Sequence, residues 1–162
     1  MRMDGTGDRL LAAPLPTPMI LGVFDEIRFS PDGRRVAMAS NPGSMVVASI
    51  DGKEPVFTAL EKLGLTYARV YGWTEDGEEV VVGSPGWKRI DGTAILAFNP
   101  DTGDVRVVYE SPRKRAYIPE SPRSDSGLRL LPLALIEEDE DGSTIAIDML
   151  VVDVQSGEVV TS

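Results

Sequence analysis

The chain has 162 residues, a formal net charge of −10, and neither histidine nor cysteine. That length suits one domain with a proper core, since about 150 residues bury roughly 70% of the surface an unfolded chain exposes. The charge argues against nucleic acid and anionic lipid as partners, and the missing side chains exclude disulfides, thiol chemistry, His-ligated zinc and Ser-His-Asp catalysis.

The first 24 residues are expected to be a leader. "GTGDRLL" has glycines but no Gly-Lys-Ser/Thr ending and follows no strand, so it is no phosphate loop. "LLAAPLPTPMILGVF", residues 10–24, is too short and too rich in proline to cross a bilayer, and lacks a signal-peptide cleavage pattern. The chain as given therefore reads as soluble, in the cytoplasm, or in the periplasm or outside the cell if a leader was removed. Residues 18–25, "PMILGVFD", are expected to supply an extra strand that pairs with a sheet edge.

From residue 25 to the end the pattern is all-β, one domain of about three repeats. The first repeat, 25–64, runs "EIRFS", turn "PDG", "RRVAMAS", "SMVVASI", turn "DGK" and "PVFTAL", with a two-turn helix candidate in "TALEKLG". The second, 65–115, runs "ARVYGWT", "EDG", "EEVVVGS", loop "SPGWKRIDG", "TAILAFN" and "VRVVYES". The third, 116–162, runs "YIPES", "LRLLPLALI", acidic loop "EEDEDGS", "TIAIDMLVVDV" and "VVTS". First-turn glycines fall at Gly33, Gly77 and Gly127, 44 and 50 residues apart, and a later turn series holds Gly52, Gly103 and Gly157. Four short strands in a period of 40–50 residues is the pattern of propeller blades. The alternative is a β-sandwich, which does not require two turn series to return in the same order.

"FSPDGRRVAMAS" followed by "MVVASIDGKEPV" resembles the TolB-like β-propeller repeat, a relative of WD repeats. The second repeat keeps Trp73, Asp76 and Gly77 but has Thr-Glu for Ser-Pro; the third keeps Ser121-Pro122 in an expanded turn. Physically the turn is structural: Pro31 presets φ, Asp32 bonds back to backbone N–H groups, Gly33 takes a positive φ, and Ser30 caps. Phe29 and Trp73 are expected to pack between blades. The resemblance implies a partial propeller and protein or peptide partners. The family's propeller has six blades, so a homodimer of three-blade chains is expected to close a ring and protect its edges.

Three stretches are candidates for contact chemistry. Trp87, Lys88 and Arg89 combine apolar area with cationic donors and suit a partner interface. Glu137, Asp139, Asp141 and Asp148 lie at offsets that approach a calcium loop, with Glu for Asp first and Asp for Glu last; otherwise they form a solvated acidic hairpin. Arg113, Lys114, Arg115 and Arg123 make one basic patch, while no Lys or Arg follows Arg129. The expected function is a noncatalytic protein-binding or scaffold module that completes a ring by self-association. The alternatives are a propeller portion of a larger hydrolase or peptidase whose catalytic groups lie elsewhere, and a carboxylate-based glycan-active enzyme.

Overall fold

The computed structural model describes residues 24–40, 44–63, 65, 69–83, 93–111, 115–117, 127–139 and 141–161. They form three antiparallel sheets of four strands, each in sequential order. Sheet 1 holds β1 (Phe24–Phe29), β2 (Arg35–Ser40), β3 (Ser44–Ser49) and β4 (Val56–Ala59). Sheet 2 holds β5 (Arg69–Trp73), β6 (Val80–Gly83), β7 (Thr93–Phe98) and β8 (Val105–Ser111). Sheet 3 holds β9 (Arg115–Tyr117), β10 (Leu130–Glu138), β11 (Thr144–Asp153) and β12 (Val159–Thr161).

Alternation of side chains assigns each strand two faces, and the register shows which face goes where. Ala37 opposite Val47 and Ala39 opposite Met45 put four apolar side chains on one face of sheet 1. They pack with Val70, Trp73, Val80, Val82, Leu96 and Phe98 of sheet 2. The other face of sheet 2, with Val81, Ile95, Ala97 and Val108, packs on Leu131, Leu133, Leu135, Leu150 and Val152 of sheet 3. Sheet 2 is thus covered on both sides, which is why all four residues of β6 are buried.

Two sequence expectations change. "TALEKLG" gives a 3₁₀ turn over Leu60–Leu63, because so short a segment cannot offset helix nucleation without a face to bury. Of the strand expected at "YIPES", residues 118–121 lie outside the described residues; β9 covers Arg115–Tyr117 and is fixed by pairing with Ala134–Ile136. Phe24 and Asp25, assigned to an extra edge strand, belong to β1 itself, and residues 18–23 lie outside the described residues. Among the described residues no helix is long and apolar enough to cross a membrane.

Candidate functional site

In a four-stranded meander the first and third turns lie at one end and the second at the other. The first turns of sheets 1 and 2 are built alike. The Ser30 hydroxyl donates to Asp32 Oδ1 at 2.6 Å and accepts from Arg35 N at 2.9 Å, while Arg34 N donates to the same carboxylate at 3.0 Å. Thr74, Asp76, Glu79 and Glu78 repeat those bonds at 2.5, 3.1 and 2.9 Å. Gly33 and Gly77 close the turns at φ 68° and 71°. Thr-Glu therefore replaces Ser-Pro without altering the network, because the hydroxyl, the carboxylate and the glycine carry it.

These bonds set the electrostatics. The Ser30 hydroxyl, then the Arg34 N–H and the nearby guanidinium charges, hold the Asp32 carboxyl below the usual carboxylate range. At Asp76 burial pushes the other way, yet Thr74, the Glu78 N–H and the Arg106 charge outweigh it, and the carboxyl is again lowered. Both stay ionised as turn acceptors, which supports the structural reading of the motif.

Two arginines lock the sheets together from this end. Arg35, on the face of Ala37 and Ala39, donates to the Gly77 carbonyl and to Asp101 Oδ2, the latter at 3.0 Å, and lies 4.7 Å over the Trp73 ring. Arg106 holds Glu79 through Nε and Nη2 and donates to the Val154 carbonyl at 2.8 Å, joining sheet 2 to sheet 3. A sequence signal existed for Arg35: period-two alternation places it among inward residues, where a lone cation needs partners.

Where the turns of sheets 1 and 2 meet lies an open cleft of about 210 Å³. Its lining includes Arg34, Arg35, Asp51, Lys53, Glu54 and Asp101. Arg34, Asp51, Lys53 and Glu54 are exposed, so the rim presents both signs of charge to solvent.

The acidic hairpin lies at the other end of its sheet. Its turn uses Asp139 as acceptor for Asp141 N at 3.1 Å and Ser143 N at 2.8 Å. Glu137 stands opposite Ala146 and Asp148 opposite Leu135, so those two share a face two residues apart in register, below the turn of Asp139 and Asp141. Among the described residues no three acidic side chains gather as a metal-holding group. Trp87, Lys88 and Arg89, and Arg113, Lys114 and Arg123 of the basic patch, lie outside the described residues; Arg115 opens β9.

Trp73 packs between sheets as expected, 1% exposed, with its indole N–H donating to the Arg28 carbonyl at 3.1 Å. Phe29, at the matching position, is 58% exposed, which corrects the expectation that it packs between blades. The reason is position: its face of sheet 1 points away from sheet 2.

No protein-family model matches the sequence, and no curated protein matches it. Among solved structures, the β-propeller domain of the Trilobed protease from Pyrococcus furiosus, which has an open velcro topology, aligns at TM-score 0.50 and 16% identity, over 83% of this chain and 40% of that one. TolB from Acinetobacter baumannii aligns at TM-score 0.49 and 15% identity, over 82% of this chain and 30% of that one. The chain spans less than half the length of these structures. Three four-stranded antiparallel sheets, stacked face to face, two of them opened by a Ser/Thr-x-Asp-Gly turn, have the arrangement of three consecutive blades of a β-propeller fold.

Proposed function

We propose that the chain is a noncatalytic protein-binding or scaffold module that offers the turn end of its blades to a protein or peptide partner and completes its ring by self-association. The observation that carries the binding reading is the open cleft where turns of two neighbouring blades meet. Cations at Arg34 and Lys53 and carboxylates at Asp51 and Glu54 line one concavity, so a peptide segment bearing both signs finds a complement for each. Mixed charge of this kind fixes register and rejects wrong partners more than it adds affinity.

The test is fluorescence polarisation with short labelled peptides of mixed charge. The double variant Arg34→Ala/Lys53→Ala is expected to weaken the best binder about tenfold or more, with an unchanged melting temperature, since both side chains are exposed. No binding by the wild type at millimolar peptide, or binding indifferent to the substitutions, removes the reading. A second reading makes the chain a propeller portion of a larger hydrolase or peptidase whose catalytic groups lie elsewhere. Likeness in fold to the propeller domain of a protease motivates it, and contiguous coding sequence for a catalytic domain selects it.

A further inference from the structure

Among the described residues four Asp-Gly pairs occupy the same kind of turn and differ in one respect. Each aspartate is the third residue of a turn whose glycine takes a positive φ: 68° at Gly33, 77° at Gly52, 71° at Gly77 and 82° at Gly142. In each, the glycine N–H donates to the carbonyl three residues back, that of Ser30 at 2.8 Å, Ser49 at 3.4 Å, Thr74 at 2.9 Å and Asp139 at 3.0 Å. All four aspartates are exposed. Backbone path and access to water are therefore matched.

The carboxylates are not matched. Asp32 Oδ1 accepts from the Ser30 hydroxyl and Arg34 N, and Asp76 Oδ1 from the Thr74 hydroxyl and Glu78 N. At the other two turns the first residue holds the aspartate's backbone instead: Ser49 Oγ accepts from Asp51 N at 3.2 Å, and Asp139 Oδ1 from Asp141 N at 3.1 Å. No described residue donates a hydrogen bond to the carboxylate of Asp51 or Asp141. An aspartate before glycine can cyclise, because glycine has no side chain to shield its nitrogen. The reaction needs a neutral carboxyl, whose hydroxyl leaves as water, and a side chain free to swing onto that nitrogen. The donors at Asp32 and Asp76 oppose both, since they favour the ionised form and pin the group in place.

We propose that Asp51 and Asp141 are sites of spontaneous conversion to isoaspartate, and that the bond from the Ser or Thr hydroxyl keeps Asp32 and Asp76 unmodified. The nitrogen of Gly52 attacks Cγ of Asp51; the N–Cγ bond forms, the Cγ–OH bond breaks, and the hydroxyl leaves with the amide proton as water, closing a succinimide ring. Water then adds at the ring's main-chain carbonyl carbon, whose bond to the Gly52 nitrogen breaks as a proton passes to that nitrogen. The chain now runs through the former side-chain carbon, one methylene longer, and the former main-chain carbonyl is a free carboxylate. The same steps hold for Asp141 and Gly142. At Asp51 the change resets the rim of the cleft, which Asp51, Lys53 and Glu54 line.

Peptide mapping by mass spectrometry after incubation in heavy-oxygen water tests this, because each passage through the ring that ends in hydrolysis adds one solvent oxygen. The four aspartates lie on four different tryptic peptides, so each is read separately. In the folded 162-residue chain at mildly acidic pH and physiological temperature, Asp51 and Asp141 are expected to take up label and form isoaspartate about tenfold or more faster than Asp32 and Asp76, since a carboxyl's neutral fraction falls tenfold for each pKa unit. In denaturing urea the four rates are expected to converge. Ser30→Ala is expected to bring Asp32 up towards the rate of Asp51; circular dichroism checks its fold, and if it fails, Thr74→Val reads the same bond at Asp76. Equal rates at all four sites in the folded chain overturn the proposal, as does labelling of Asp51 and Asp141 in urea alone. A rate at Asp32 that a folded Ser30→Ala variant leaves unmoved overturns the protecting role of the hydroxyl.

Discussion

Trp73 ties blade 1 to blade 2 through three forces at one position. Its ring is buried among Ala37, Ala39, Val47 and Val70, its N–H satisfies the Arg28 carbonyl, and the Arg35 guanidinium lies over its face. Burial is the largest of these, since removing a buried Trp costs about 3–5 kcal/mol, against about 1 kcal/mol for one hydrogen bond and about 0.5–1 kcal/mol for a partly exposed cation–π contact. Trp73→Phe keeps most of the apolar area and loses the N–H. Urea denaturation is therefore expected to rank Trp73→Ala well below Trp73→Phe, by about 2 kcal/mol or more. Equal losses would mean that the indole N–H, not packing, holds the blades. Arg35 is the cation in question because its other bonds, to Gly77 and Asp101, orient the guanidinium before it meets the ring.

At the scale of elements, the turns carry the docking of one blade on the next. Gly127 has φ +86°, and a Cβ there would sit 2.7 Å from both Glu75 Cα and the Thr74 carbonyl oxygen. Its neighbour Leu128 donates its N–H to the Trp73 carbonyl at 2.6 Å, so blade 3 meets blade 2 backbone to backbone at this point. Gly103 has φ +81° with open space around it, which makes it the control. Gly103→Ala is expected to cost about 1–2 kcal/mol for the left-handed conformation alone, whereas Gly127→Ala adds a clash with backbone that cannot step aside, for about 3 kcal/mol or more. Similar losses would mean that the junction yields. Turns of this kind were legible because Asp-Gly and alternating apolar runs are local signals; β8, Val105–Ser111, matches its sequence reading residue for residue. The strand β9 was not, since three residues gain strand character only from β10, some twenty residues on. The cleft escaped for the same reason: Arg34, Lys53 and Asp101 come from three separate turns, and only blade stacking brings them together. Exposure of Phe29 was illegible too, because a repeat reads alike whether or not a neighbour covers it.

For the whole molecule, the order of the sheets fixes where stability concentrates. Sheet 2 shares one apolar cluster with sheet 1 and another with sheet 3, while the outer face of β11 carries Ile145, Ile147 and Met149 in solvent. Amides of Val81, Val82, Leu96 and Ala97 should therefore exchange hydrogen only when the whole domain opens, and those of Ile145–Met149 through smaller openings. Native-state hydrogen exchange followed residue by residue checks this, and equal protection of sheets 2 and 3 would remove the middle sheet as the stable centre.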